Sequence, residues 1–130
     1  MAYEVEIILM RQTASYLAIP IFVVDPNGDL VYYNEPAEDL LGQRYDEAGE
    51  MPLEEWSTAF LPTDENGDPL PPDDLPLVIA LQERRPAYAS FWITGYDQTR
   101  RHLSVVAFPL TGQNSRDLGA VAMFWQEGPR

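Results

Sequence analysis

The chain has 130 residues, a formal net charge of −13, 45% hydrophobic and 12% aromatic residues, no cysteine and one histidine. This size and apolar content belong to one folded domain with a real core, not to a disordered segment. Disulfides, thiolate nucleophiles, cysteine-ligated metals and imidazole-rich metal sites are excluded, and the acidic balance repels phosphate backbones, so nucleic acid is not an expected partner.

The opening "MAYEVEIILMRQ" lacks a basic leader and Glu6 interrupts its apolar run, so it does not read as a signal peptide. No run approaches transmembrane length, which makes the cytoplasm the default location and a membrane an unexpected partner. Residues 3–18 read as an amphipathic helix, with Val5, Ile8, Leu9, Tyr16 and Leu17 at helical spacing and Pro20 ending the segment. The expected organisation is an N-terminal helix at 1–19, a domain at 20–126 and a tail at 127–130.

A strand through "IPIFVVD" and a return strand "LVYYN" flank Asn27-Gly28, which predicts a tight two-residue hairpin turn. Asp25, Asn27 and Asp29 alternate as calcium ligands do, and Asp64, Asn66 and Asp68 repeat the pattern. An EF-hand loop needs glycine at its sixth position and glutamate at its twelfth. Counted from Asp25 those positions are Leu30 and Pro36, and counted from Asp64 they are Pro69 and Leu75, so turns are the better reading.

Asn34 is a suitable N-cap, Pro36 fits a first turn and Gly42 stops a short helix after Leu40 and Leu41. "MPLEEWSTAF" predicts a second helix with Leu53, Trp56 and Phe60 on one face. Prolines crowd residues 61–72. A third helix starts near Asp73 to Pro76, carries Leu77, Val78, Ala80 and Leu81, and ends in Arg84-Arg85-Pro86, where two cations suit the helix dipole. Three strands follow: "YASFWIT", "RHLSVVAFPL" and "GAVAMFWQ".

This order resembles the PAS family of sensory domains. The resemblance rests on "VVDPNGDLVYYNEPAEDLLG", on "DENGDPLPPDDLPLVIAL" and on "RRHLSVVAFPLTGQNSRDLGAVAMFW", and it spans residues 20–126. It implies an α+β fold, a five-stranded antiparallel sheet with short helices on one face, and a sensory, signalling or interaction role. PAS domains usually sit in longer chains, whereas this one stops at "QEGPR"; the expectation is a free-standing domain or one excised from a longer protein, signalling through a protein partner.

Haem-binding relatives use a histidine on the long helix, which has none here, and His102 falls on a strand. A cysteinyl-flavin adduct is excluded with cysteine, while non-covalent flavin stays open. His102, Ser104 and Asp97 prompt the question of a catalytic triad, but side chains two apart on a strand stand about 6–7 Å apart and no nucleophile elbow is present. A binding module is expected, not an enzyme.

Strand alternation divides the sheet residues into two sets. By the resemblance, counting back from Pro109, Phe91, Ile93, Leu103, Val105, Val121, Met123 and Trp125 face the helices. With Trp56, Leu77 and Leu81 from the helix side they are the candidate lining of a pocket for a small apolar or aromatic ligand. Trp92, Val106, Phe108 and Phe124 then face outward, a patch too apolar to stay wet. The stripe of Val5, Ile8, Leu9 and Leu17 is the candidate cover, and a helix-mediated homodimer is the expected assembly. The alternative is a dimerisation or docking module whose core is simply filled.

Overall fold

The computed structural model of the chain describes residues 18–45 and 49–127. The strands are β1 (Ile21–Val24), β2 (Leu30–Tyr33), β3 (Ala87–Thr94), β4 (Arg100–Thr111) and β5 (Asp117–Gln126). The helices are α1 (Glu35–Leu41), α2 (Leu53–Ala59) and α3 (Pro76–Glu83), with 3₁₀ turns at Pro72–Asp74 and Gln113–Ser115. The strands form one antiparallel sheet in the order β2-β1-β5-β4-β3, the α+β architecture expected. The helix expected through Val5, Ile8, Leu9 and Leu17 falls outside the described residues.

Helix α1 begins and ends where its caps dictate. The Asn34 carboxamide oxygen accepts from the Ala37 N–H at 3.2 Å and from the Ile21 N–H at 2.9 Å, while its nitrogen donates to the Ile19 carbonyl at 2.9 Å. One buried side chain therefore caps a helix and ties it to the start of β1. Gly42 closes the helix at φ 78°, in the left-handed region. Its neighbour in space is the β3–β4 loop: Tyr96 N–H donates to the Leu41 carbonyl at 2.9 Å, and Arg101 donates to the Leu40 carbonyl at 2.8 Å.

The β1–β2 connection is longer than the two-residue turn expected. Gly28 N–H returns to the Asp25 carbonyl, Asp25 N–H reaches the Asp29 carbonyl, and the Asp25 carboxylate accepts from the Asn27 and Asp29 N–H groups, both at 3.0 Å. Gly28 alone of the Asn-Gly pair takes positive φ, at 91°. Asp64–Asp68 repeats this construction, with Gly67 at φ 86° and the Asp64 carboxylate accepting from Asn66 and Asp68. The alternation that imitates calcium ligands is thus what a carboxylate-stapled five-residue loop requires.

The proline-rich excursion guards the sheet edge. Thr63 and Trp92 exchange two backbone hydrogen bonds at 2.9 Å, and Thr94 N–H donates to the Phe60 carbonyl at 2.7 Å, so part of β3 is not left unpaired. Arg84, the C-cap of α3, adopts φ 56° and turns its guanidinium to the β4–β5 hairpin. It pairs with Asp117 at 2.8 Å and donates to the carbonyls of Gly119 and Leu110 at 3.0 and 2.9 Å. The Arg84 cation expected to serve the helix dipole serves chiefly to fasten α3 to the sheet.

Strand β5 corrects one expectation. Pro109 pairs with Ala120, Ala107 with Ala122 and Val105 with Phe124, so Ala120, Ala122 and Phe124 face the helices. Val121 and Met123 belong to a second apolar cluster on the opposite face with Ile21, Val23, Val31 and Leu118, and Trp125, opposite Ser104, shares that outer face. The candidate-pocket placement of Val121, Met123 and Trp125 and the outward placement of Phe124 are reversed. Both alternating sets of "GAVAMFWQ" are apolar because β5 is central and covered on both faces, so alternation alone cannot choose between them. The register is set by the irregularity between Leu110 and Thr111 and by Gly119, where a side chain would strike β1.

Candidate functional site

Between the helices and the sheet lies a cavity of about 90 Å³ whose lining residues are all buried. Helix α2 supplies Trp56 and Ser57, and its C-cap supplies Phe60. Leu75, Pro76 and Leu77 at the start of α3 form a second wall. The floor is the sheet, with Phe22 from β1, Phe91 and Ile93 from β3, Leu103 and Val105 from β4, and Ala122 and Phe124 from β5.

Each wall is held by a specific contact. Trp56 donates its indole N–H to the Gly28 carbonyl at 2.8 Å and meets Phe22 edge-on at 5.6 Å, which locks α2 to the β1–β2 loop. Phe22 stacks on Tyr33 at 5.9 Å, and Phe60 meets Tyr96 edge-on at 5.2 Å. Ser57 departs from this apolar setting. It is 2% exposed, it lines the cavity, and its hydroxyl has no hydrogen-bond partner.

Of the candidate pocket residues, Trp56, Leu77, Phe91, Ile93, Leu103 and Val105 come together on the lining. Leu81 is buried in the same core cluster but packs beside the Gly28 turn. Val121, Met123 and Trp125 lie across the sheet. Phe22, Phe60 and Ala122 escaped sequence reasoning, although the β1–β5 pairing of Phe22 with Ala122 would have found both had the register been known. Ser57 sits one position off the Leu53–Trp56–Phe60 stripe and had no signal in the sequence.

The other reactive-looking groups are engaged elsewhere. His102 stacks on Trp92 at 4.8 Å on the outer face, with the Arg100 guanidinium 4.1 Å from the Trp92 ring centre. Ser104 is bonded to Ser90 at 3.0 Å, to Tyr88 at 3.3 Å and to Glu127, and the bonds to Ser104 and Ser90 lower the Tyr88 pKa. Asp97 pairs with Arg101 at 3.0 Å, and that bond holds its carboxyl below the usual range. His102, Ser104 and Asp97 therefore do not assemble into a triad.

Helix α3 carries neither histidine nor cysteine, so it offers no imidazole or thiolate as an axial donor to haem. Flavin and most cofactors occupy pockets of about 300–1,000 Å³ with several polar contacts. This lining is far smaller, and among the described residues Ser57 is its one unengaged side-chain hydroxyl.

The candidate interface residues Trp92, Val106 and Phe108 lie on the outer sheet face, where Phe108 and Met123 pack against the second cluster. Phe124 is turned inward and 4% exposed, whereas Trp125 is 41% exposed. No helix of the described residues is long and apolar enough to cross a membrane.

A family model described as the PAS fold matches residues 9–59. Among solved structures, the chain is similar to the PAS domain of a protein from Colwellia psychrerythraea, at 18% identity and TM-score 0.65, covering 93% of this chain and 97% of that one. It is also similar to the PAS domain of Bordetella pertussis BvgS, at 18% identity and TM-score 0.65, covering 96% and 88%. A third likeness is to the Rhodobacter sphaeroides LOV protein, at 13% identity and TM-score 0.74, covering 96% and 69%. A search of curated proteins by sequence finds no match.

Proposed function

This chain is a PAS-fold domain, and on that premise we propose that it is a cytoplasmic sensory module that binds a small apolar or aromatic molecule between its helices and its sheet. The observation that carries the reading is the cavity itself, an apolar space framed by aromatic rings where a tightly packed core would leave none. Residues 1–19 would join two copies through the outer face, and a signalling protein would receive the output. Ligand binding shifts that assembly only if the two arrangements of helix and sheet differ in ligand affinity. The assigned role is binding rather than catalysis.

A second reading has one observation in its favour. At about 90 Å³ the cavity is small, and a domain whose core is essentially filled serves as a dimerisation or docking module. Native mass spectrometry of freshly purified protein separates the two. Extra mass that disappears on denaturation is the expected result. A bare polypeptide mass, together with no thermal shift across a panel of small apolar and aromatic compounds, would replace the sensor with the docking module.

A further inference from the structure

We infer that the cavity is built for an uncharged aliphatic molecule of about four carbon atoms that carries no hydrogen-bonding group. The class it takes is a dissolved hydrocarbon gas, neither an aromatic compound nor an oxygenated metabolite. This inference rests on the ligand-binding reading above and narrows it in size and in polarity.

Size excludes an aromatic ring. An engineered apolar cavity of about 150 Å³ holds benzene, a ligand of six carbon atoms. At about 90 Å³ the present one has room, on the same scale, for about four. The rings of Phe22, Trp56, Phe60 and Phe91 already bound that space, so a further ring would enter only by pushing one of them out of place.

Polarity follows from what the walls present. The cavity surface is entirely apolar, although two of the lining residues carry polar side-chain atoms. Trp56 spends its N–H on the Gly28 carbonyl at 2.8 Å, so the indole offers the cavity only carbon. Ser57 lines the cavity without presenting its oxygen to it, and no charged side chain is among the lining residues. A carbonyl, hydroxyl or amine entering this space gives up its bonds to water and finds none in return, and an ion fares worse. Selection is therefore by exclusion, since the walls penalise any molecule that water holds. An aliphatic guest loses no such bonds and gains dispersion contacts with the walls on every side.

The test titrates isobutene, acetone and benzene into the full chain, with binding read from the amide chemical shifts of the lining residues. Acetone keeps the frame of isobutene and replaces its CH₂ by oxygen. Isobutene is expected to bind saturably and acetone at least about tenfold more weakly, the effect of one buried carbonyl left unpaired. Benzene should leave those shifts unmoved at the concentration that saturates isobutene. Ala122→Leu, which builds carbon into the cavity from β5, should weaken isobutene at least about tenfold. Acetone as tight as isobutene overturns the polarity, and benzene as tight overturns the size; either leaves a ligand-binding cavity of another class. Isobutene binding unchanged in folded Ala122→Leu puts the site elsewhere and overturns the inference. The three-probe comparison needs no variant, so it decides alone if Ala122→Leu does not fold. No response to any probe, with a larger ligand found by native mass spectrometry, overturns the inference and keeps the sensor; no response and a bare polypeptide mass end both.

Discussion

Asp25 and Asp97 are two aspartates whose surroundings push in opposite directions. Asp25 is 6% exposed, and burial raises its pKa against the two backbone N–H bonds that lower it, with Asp29 and Glu50 adding like charge. In the unfolded chain the carboxyl returns to the ordinary value near 3.8. The folded state therefore keeps its proton to higher pH, and stability contributed by this group falls as pH rises through that window and returns below it. Asp25→Asn preserves the oxygen that staples the loop and removes the charge. The variant is expected to exceed the parent in stability at pH 7, with the gap closing as pH approaches 3.8; urea unfolding at several pH values measures it. A variant less stable at pH 7 would show that the carboxylate is better compensated than its burial implies. Asp97 has the reverse sign: Arg101 lowers its pKa, so its contribution is present at neutral pH and is lost as pH falls through the folded value.

Elements were legible where their signals are local and obscure where they are relational. Asn34, Pro36 and Gly42 mark α1 because a cap is a property of a few neighbouring residues. The facing of β5 is a property of its partners, and with both alternating sets apolar its sequence carries no trace of the choice. The Asn27-Gly28 turn misled for a related reason, since Asn-Gly suits a two-residue loop and a five-residue one alike, and the carboxylate of Asp25 decides. Most of the pocket floor could be read because the resemblance, counted back from Pro109, placed Phe91, Ile93, Leu103 and Val105 on the helix side; the unpaired state of Ser57 could not, being a statement about everything around it. Gly119 shows what the β5 register rests on. It sits at φ 106°, and a Cβ there would lie 2.0 Å from the Val24 carbonyl oxygen. Gly119→Ala should cost about 3–5 kcal/mol, combining backbone strain with a forced separation of β1 and β5. Gly67, at φ 86° with nothing within 4 Å of a new Cβ, is the control, and its alanine variant should lose only about 1 kcal/mol. Equal losses in denaturant midpoint would mean that conformation alone, not the collision with β1, makes Gly119 necessary.

At the scale of the molecule, the reversed facing of β5 makes the outer surface more apolar than the sequence suggested. Phe124 leaves it, while Met123 and Trp125 join Trp92, Val106 and Phe108, with Trp125 41% and nearby Tyr88 62% exposed. The proposed dimer predicts two subunits for the full chain by light scattering, and a monomer after deletion of residues 1–18. Trp125→Glu should weaken association by at least about tenfold, the effect of a buried interface anchor replaced by a charge, without lowering unfolding stability. A full chain that is monomeric at high concentration would end the dimer proposal. The cavity, finally, has walls that are buried throughout, and one of them depends on a remote loop. Helix α2 has seven residues, no side-chain cap at its start, and a tie to the β1–β2 loop through the Trp56 indole. The shape of the pocket is therefore partly a property of that loop, and whatever grips the loop would change what the pocket holds.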